Sequence, residues 1–175
     1  MALLAEEIVE EWLNRQGYFT IRGIKLGVHE MDLLAIKTKG TEVEECRHIE
    51  VQASMRPISY ISRVPKEIQR TEGRSANSAK RSSDELVQGV KEWVDAKFKT
   101  QKKTALMQTL FNKPWSSELV IHNVKSEEEV RLIEQAGIKV HRLKDLVTEL
   151  QHRKFIISYA AGANLTDLIN MGAEL

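Results

Sequence analysis

The stretch HIEVQAS, residues 48–54, decides the fold because it has the pattern of a strand with one buried face. Its polar residues His48, Glu50 and Gln52 alternate with apolar ones. Successive side chains of a strand point to opposite faces, so one face is apolar and the other carries an acid and, two residues later, an amide. Glu50 and Gln52 are therefore candidate functional groups, and an ordinary half-exposed strand is the structural alternative.

The segments around this strand predict an α/β fold. Residues 3–16 have the periodicity of a helix, and YFTIRGIKL, EMDLLAIK and CRHIEVQAS follow as three strands at hairpin spacing. After residue 83, helical and strand-like segments alternate, which gives the order α-β-β-β-α-β-α-β-α. A meander followed by strands that are reached through helices predicts a mixed central β-sheet flanked by α-helices.

At 175 residues the chain is predicted to form one domain, because this length can bury a sizeable core. Its parts are the helix and meander (1–54), a polar, basic loop (55–83), a helix–strand half (84–154) and a C-terminal tail (155–175) with a short helix after Asn164. No apolar run approaches the roughly 20 residues that cross a membrane. The N-terminus turns acidic where a signal peptide would stay apolar, and there is a single cysteine, Cys46. We therefore expect a soluble, cytoplasmic protein.

The charge of the chain is unevenly distributed. Its 26 basic and 25 acidic residues nearly balance, but residues 55–103 hold 12 basic and 6 acidic residues, a net charge of +6, which leaves −5 for the rest. A protein that docks on a polyanion shows such asymmetry, so we predict that Arg74, Lys80 and Arg81 contact the backbone of DNA. A solvated loop and helix face is the alternative, and charge alone does not separate the two.

Two further acids lie where an acid needs an explanation. Glu6 is about 20° from Leu13 on a helical wheel, at the edge of the apolar stripe of the first helix. Asp32 is a poor strand former that precedes an apolar run, and strict alternation puts Met31 and Leu33 on the face opposite to it. If the first helix packs on the polar face of the strands, both acids meet Glu50. The alternatives are a boundary glutamate that reaches water and an aspartate that caps a turn.

Clustered carboxylates next to an amide point to a hard divalent cation. Mg²⁺ prefers oxygen ligands and usually binds one or two carboxylates together with waters and a substrate phosphate. A cation bound in this way lowers the pKa of bound water, polarises a phosphoryl group and stabilises the leaving oxygen. Phosphodiester hydrolysis is the reaction class that follows. Because surplus carboxylates repel one another when metal is absent, removing Asp32 or Glu50 is expected to leave the fold intact.

These residues resemble the PD-(D/E)XK nuclease superfamily, which has the restriction-endonuclease-like fold, and they are most similar to the branch of the Holliday junction resolvases. The similarity covers about residues 3–54, through AEEIVEEWLNRQGY, EMDLLAI and IEVQAS. It implies that Asp32, Glu50 and the carbonyl of Val51 bind Mg²⁺, for which Mn²⁺ substitutes. It also implies that Glu6 supports the metal site from the leading helix.

Gln52 departs from the pattern, because it occupies the position of the superfamily's lysine. That lysine orients or activates the attacking water and stabilises developing negative charge. Glutamine has a similar reach and can hold a water by a hydrogen bond, but it carries no charge. Some restriction enzymes of the superfamily are similar in having glutamine or glutamate there and are active.

The resemblance implies a Mg²⁺-dependent endodeoxyribonuclease that acts on DNA, with branched or structured DNA among its substrates. A homodimer is expected by analogy, because cutting both strands of a duplex symmetrically requires two sites. The first alternative is a catalytically silent nuclease-fold protein that acts as a DNA-binding or protein-interaction module, and Gln52 keeps it open. The second is an α/β binding domain in which the acids coincide by chance.

Overall fold

The computed structural model describes residues 2–160 and, beyond them, residues 162, 164, 167, 168 and 171. The elements in this part of the chain are α1 (Ala2–Arg15), β1 (Phe19–Leu26), β2 (His29–Lys39), β3 (Glu42–Ile58), α2 (Lys66–Glu72), α3 (Ser83–Phe98), α4 (Gln101–Leu110), β4 (Ser116–Val124), α5 (Glu127–Gln135), β5 (Lys139–Arg142) and α6 (Leu143–His152). The predicted α/β class is confirmed. The short helix predicted after Asn164 lies largely outside the described residues.

The strands form one mixed sheet in the order β1-β2-β3-β4-β5. The pairs β1–β2 and β2–β3 are antiparallel, whereas β3–β4 and β4–β5 are parallel. This follows from the connections, since tight turns join antiparallel neighbours and parallel neighbours require a longer crossover. Among the described residues, no helix combines the length and the apolar composition that crossing a bilayer requires.

Helices cover both faces of the sheet. On one face, α1 and α6 bury a cluster that includes Trp12, Leu33 and Ile49. On the other, α3 and α5 cover the β3–β4 half, and α4 covers β1 and β2 through a cluster built around Met31 and Met107. The apolar face of β3 therefore packs on α1, and its polar face points toward α3 and α4.

The observed order differs from the predicted one by two helices. α2 lies inside the segment predicted as an irregular loop with short helical turns, and it has no buried residue, so it gives no apolar stripe to detect. α4 buries Lys103 and Met107, and a lysine on the buried face hides the periodicity. β3 also continues through Ile58, four residues beyond the predicted end at Ser54.

The loop between β3 and α2 is fixed to the body of the protein from two sides. Glu129 on α5 is fully buried, and its carboxylate accepts hydrogen bonds from Ile61 N at 2.6 Å, Ser62 N at 2.8 Å and Ser62 Oγ at 2.5 Å. On α3, Gly89 allows the loop to approach closely, because a Cβ at this position would lie 2.6 Å from the carbonyl oxygen of Arg63. The loop is thus a fixed wall beside the sheet.

We predict that Gly89→Ala destabilises the protein by about 1–3 kcal/mol, because the added methyl group must push the loop backbone away from α3. Alanine is by itself a better helix former than glycine by about 1 kcal/mol, so helix propensity alone would raise the free energy of unfolding, whereas close packing against the loop lowers it. Urea unfolding measures the difference, with Lys91→Ala on the exposed side of the same helix as the control. A stabilised Gly89→Ala variant would contradict the fixed loop.

Candidate active site

The sheet opens between β2 and β3 at Asp32. The last paired residues there are Leu33 and Ile49, and beyond them the N–H of Val51 donates to Oδ2 of Asp32 at 2.7 Å. Met31 packs in the cluster under α4, whereas Leu33 packs under α1, so the prediction that these two share a face is wrong. The alternation breaks at Asp32, which is directed sideways toward β3.

Val51 contributes backbone groups to the same opening. In an extended strand the N–H and C=O of one residue point to the same side. Since the Val51 N–H points at Asp32, its carbonyl is directed toward the acids as well, away from β4. The carbonyl that was predicted as a ligand thus faces the same opening as Asp32.

Glu50 lies on the polar face of β3, is 1% exposed, and has a hydrogen-bond partner at each carboxylate oxygen. Its Oε1 accepts from Nζ of Lys103 at 2.6 Å and lies 2.8 Å from Nε2 of His48, and its Oε2 accepts from Nζ of Lys97 at 3.1 Å. Lys103 is itself 1% exposed and also donates to the carbonyl of Lys97 at 2.7 Å. The carboxylate therefore joins β3 to both α3 and α4.

The pKa values of Asp32 and Glu50 are shifted in opposite directions. Burial alone would raise the pKa of Glu50, but the hydrogen bond from His48 and the charges of Lys97 and Lys103 outweigh it and hold the pKa below its ordinary value. Burial and the negative charge of Glu50 raise the pKa of Asp32. Glu50 is thus a stabilised anion, whereas Asp32 is an anion that the fold disfavours.

Glu6 approaches the acids from a direction that differs from the expectation. The condition under which the acids would meet, a first helix on the polar face of the strands, does not hold, because α1 packs on the apolar face of β3. Burial and the negative charge of Asp32 nevertheless raise the pKa of Glu6, with smaller contributions from Glu30 and Glu50. Glu6 therefore lies within electrostatic reach of Asp32 from the opposite side of the sheet opening.

A cleft of about 930 Å³ begins at these residues. Asp32, Gln52, Lys97 and Lys103 line one end next to the turn before β2 and the start of β2, and the fixed loop, α2, the segment after α2 and α3 form the rest of its wall. Gln52 therefore lines this cleft, and its functional role stays a prediction.

Lys97 and Lys103 are the site residues that sequence reasoning missed. Both belong to the basic segment 55–103, where the sequence does not distinguish a buried lysine from an exposed one. Neither belongs to the motif Glu50-Val51-Gln52. The only signal was Lys103 four residues before Met107, on the side of a helix that would otherwise be apolar.

The basic residues predicted to bind DNA have internal partners. Arg74 donates to Glu85 at 2.7 Å and to the carbonyl of Lys80, and Arg81 donates to Ser62 Oγ at 3.2 Å and to its carbonyl at 3.0 Å. Arg81 also lines the cleft, whereas Lys80 is exposed. Contact of these three residues with nucleic acid stays a prediction.

The donor set suits Mg²⁺. Two carboxylates, of Asp32 and Glu50, and the carbonyl of Val51 are all hard oxygen donors, and Mg²⁺ typically takes one or two carboxylates and fills its other positions with waters and phosphate oxygens. Within the described ranges no group of three or more His, Cys, Asp and Glu side chains is arranged as a metal site. The oxygen donors are thus of the type that a hard cation takes, but among the described residues they do not form an all-protein cage, and both oxygens of Glu50 are held by lysines.

Comparison with known proteins gives little further information. No family model matches the chain, and no curated protein matches it. Among solved structures, the crystal structure of AF1548, a protein of unknown function, is similar at 15% identity with a TM-score of 0.43, over 98% of this chain and 67% of that one.

We predict that Glu50→Gln destabilises the protein by about 3–5 kcal/mol in the absence of metal, because it leaves the ammonium of Lys103 buried without its partner. This reverses the expectation that both acids can be removed freely. The double variant Glu50→Gln/Lys103→Met should recover most of the loss, since an apolar side chain needs no partner. Urea unfolding measures both, and Asp95→Asn, which removes an exposed pair with Lys99, should change stability by no more than about 1 kcal/mol. A Glu50→Gln change as small as this control would contradict the buried pair.

Asp32→Asn should behave in the opposite way. A carboxyl whose pKa is raised by folding binds its proton more tightly in the native state, so the wild type loses stability as pH rises from about 4, its ordinary value, through the raised value. Asparagine keeps an oxygen for the Val51 N–H and carries no charge. We therefore expect the variant to gain stability relative to wild type between about pH 3 and pH 7. Thermal unfolding across this range is the measurement, and a variant that loses stability at pH 7 would show that the carboxylate is structural.

Proposed function

We propose that this protein is a metal-dependent nuclease of the PD-(D/E)XK type that hydrolyses phosphodiester bonds in DNA. The observation that carries the proposal is the pairing of a disfavoured carboxylate, Asp32, with a buried one, Glu50, at the end of a cleft that also exposes a lysine. Fold stability alone does not require an anion to be kept next to another anion.

The residues have separate roles in this proposal. Asp32, Glu50 and the Val51 carbonyl hold Mg²⁺ or Mn²⁺, which when bound would activate water and stabilise the leaving oxygen. Gln52 holds the attacking water by a hydrogen bond from its side chain in the cleft. Glu6 adds negative potential that favours a cation at Asp32.

Lys97 supplies the positive charge that Gln52 lacks. Its Nζ is 3.1 Å from Glu50, its side chain is 37% exposed, and it lines the cleft. A lysine brought from α3 to the same carboxylate can stabilise charge that develops on a phosphate, as a lysine two residues after Glu50 would. A homodimer remains part of the proposal for cleavage of both strands.

A catalytically silent nuclease-fold module, binding DNA or protein, is the second candidate. The observation that favours it is the neutralisation of Glu50 by two lysines, because a carboxylate with this many partners is stable without a cation. Wild-type activity separates the two candidates.

We predict cleavage of labelled linear, branched or single-stranded DNA in Mg²⁺ or Mn²⁺, and none in chelator. Asp32→Asn should abolish it, and Gln52→Ala and Lys97→Met should each lower kcat on the order of 10²-fold or more, as expected for a lost water-positioning or charge-stabilising group. The control is Lys139→Gln, an exposed lysine on β5 far along the sheet from the cleft. Wild type inactive with every metal and substrate would leave the silent module, and an active Asp32→Asn variant would show that the site lies elsewhere.

A further inference from the structure

The cleft next to the acids has a flat, apolar wall that metal chemistry does not explain. Tyr60 and Trp93 are half-buried, line the cleft, and are flanked by Ile58 and Ile61. Part of each ring belongs to the core, since Trp93 packs edge-on to Phe98 at 6.0 Å, but the remainder faces the cleft. A wall of this kind can accept another flat group.

Arg81 covers one face of Tyr60 and adds a second flat layer to this wall. Its guanidinium lies over the ring of Tyr60, 4.3 Å from the centroid, and hydrogen bonds to Ser62 and to the carbonyl of Ser78 hold it there. A guanidinium plane stacks on nucleobases as aromatic rings do. Arg81, which sequence analysis assigned to phosphate, is thus placed to contact a base.

Polar groups complete the cleft. Arg63 and Lys66 line it, and within the described residues neither side chain has an ion-pair partner. Gln69 and Asn77 add amides that can bond to the edge of a base. Of the acids that line it, Glu92 accepts from the backbone N–H of Lys66 at 3.1 Å, and Glu30 and Asp32 lie at the metal end. Cations, amides and flat groups in one cleft match the phosphate, the edge of the base and the face of the base of a nucleotide.

We propose that the cleft binds an unpaired nucleotide of a single-stranded segment, with its base against Tyr60, Trp93 and Arg81 and its phosphates toward Arg63, Lys66 and Lys97. Bases inside a duplex are stacked on their neighbours and cannot offer a face to the wall, so the substrate class is a strand that is single or locally unpaired. The inference rests on the proposed function and deepens it, because it names the part of the substrate that lies next to the Asp32–Glu50 site.

The test is a binding titration in chelator, without cleavage. Fluorescence anisotropy compares a labelled oligothymidylate with the same strand carrying abasic sites, and with a blunt hairpin duplex. Wild type should bind the normal strand roughly 5- to 150-fold more tightly than the abasic one, which is the range for one stacked base. Equal affinity for the two strands would overturn the proposal, whether or not any variant folds.

Variants localise the effect. Tyr60→Leu keeps an apolar group for the core but should lower the ratio of affinities for the normal and the abasic strand, whereas Phe19→Leu, which changes an aromatic ring 70% exposed on β1, should keep the wild-type ratio. Lys66→Gln should weaken the binding of both strands by the same factor, because it removes only a phosphate contact. An unchanged ratio in Tyr60→Leu would exclude this wall as the base site.

Two further arms separate this inference from others. Thymidine monophosphate should compete weakly, and competition as tight as that of the strand would assign the cleft to a free nucleotide and overturn the proposal. Tighter binding of the hairpin duplex than of the single strand would overturn it too. The binding measurements contain no metal, so they are independent of the cleavage assay. If the wild type does not cleave DNA but binds the normal strand more tightly than the abasic one, only the nuclease proposal is excluded. If it cleaves DNA but binds both strands equally, only this inference is excluded.

Discussion

The fully buried pair of Glu50 and Lys103 is the interaction on which the arrangement of the site depends. A carboxylate and an ammonium that are both about 1% exposed require each other, since either one alone would be a buried charge in a medium of low polarity. The pair joins the central strand to α4, and the bond from Lys103 to the carbonyl of Lys97 joins α4 to the end of α3. One polar cluster thus sets the positions of β3, α3 and α4, and with them one end of the cleft.

The same cluster explains which parts of the site the sequence could predict. Glu50 and Gln52 were predictable because strand alternation is a local rule that needs only neighbouring residues. The break at Asp32 was not, because it depends on Met31 packing under α4, an element more than 60 residues further along the chain. Lys97 and Lys103 were missed for the same reason. Their partner is Glu50 on β3, and no periodic pattern in the sequence indicates that these lysines meet a residue so far along the chain.

The fold class followed from the order of elements, but the cleft did not. Its second wall depends on Glu129 of α5 holding the backbone at Ile61 and Ser62, and on the absence of a Cβ at Gly89. In the sequence, Glu129 has the spacing of a capping box with Ser126, which predicts the start of a helix and not a buried carboxylate. Its burial is a consequence of tertiary packing, so a segment that looks like a polar loop becomes a fixed wall.

The charge balance of the cluster bears on how a cation would enter it. Asp32 and Glu50 carry two negative charges, and Lys97 and Lys103 carry two positive ones, so the cluster is close to neutral as it stands. A bare divalent cation would then meet two ammonium groups within a few ångströms, and that repulsion is strong where water is excluded. If the cation arrives bound to a phosphodiester, the phosphodiester supplies negative charge that offsets this repulsion. Lys97 is partly exposed and can turn from Glu50 toward the phosphate. In the proposed enzyme, metal and substrate would therefore bind together, and Lys97, which neutralises Glu50 in their absence, would favour the bound phosphate.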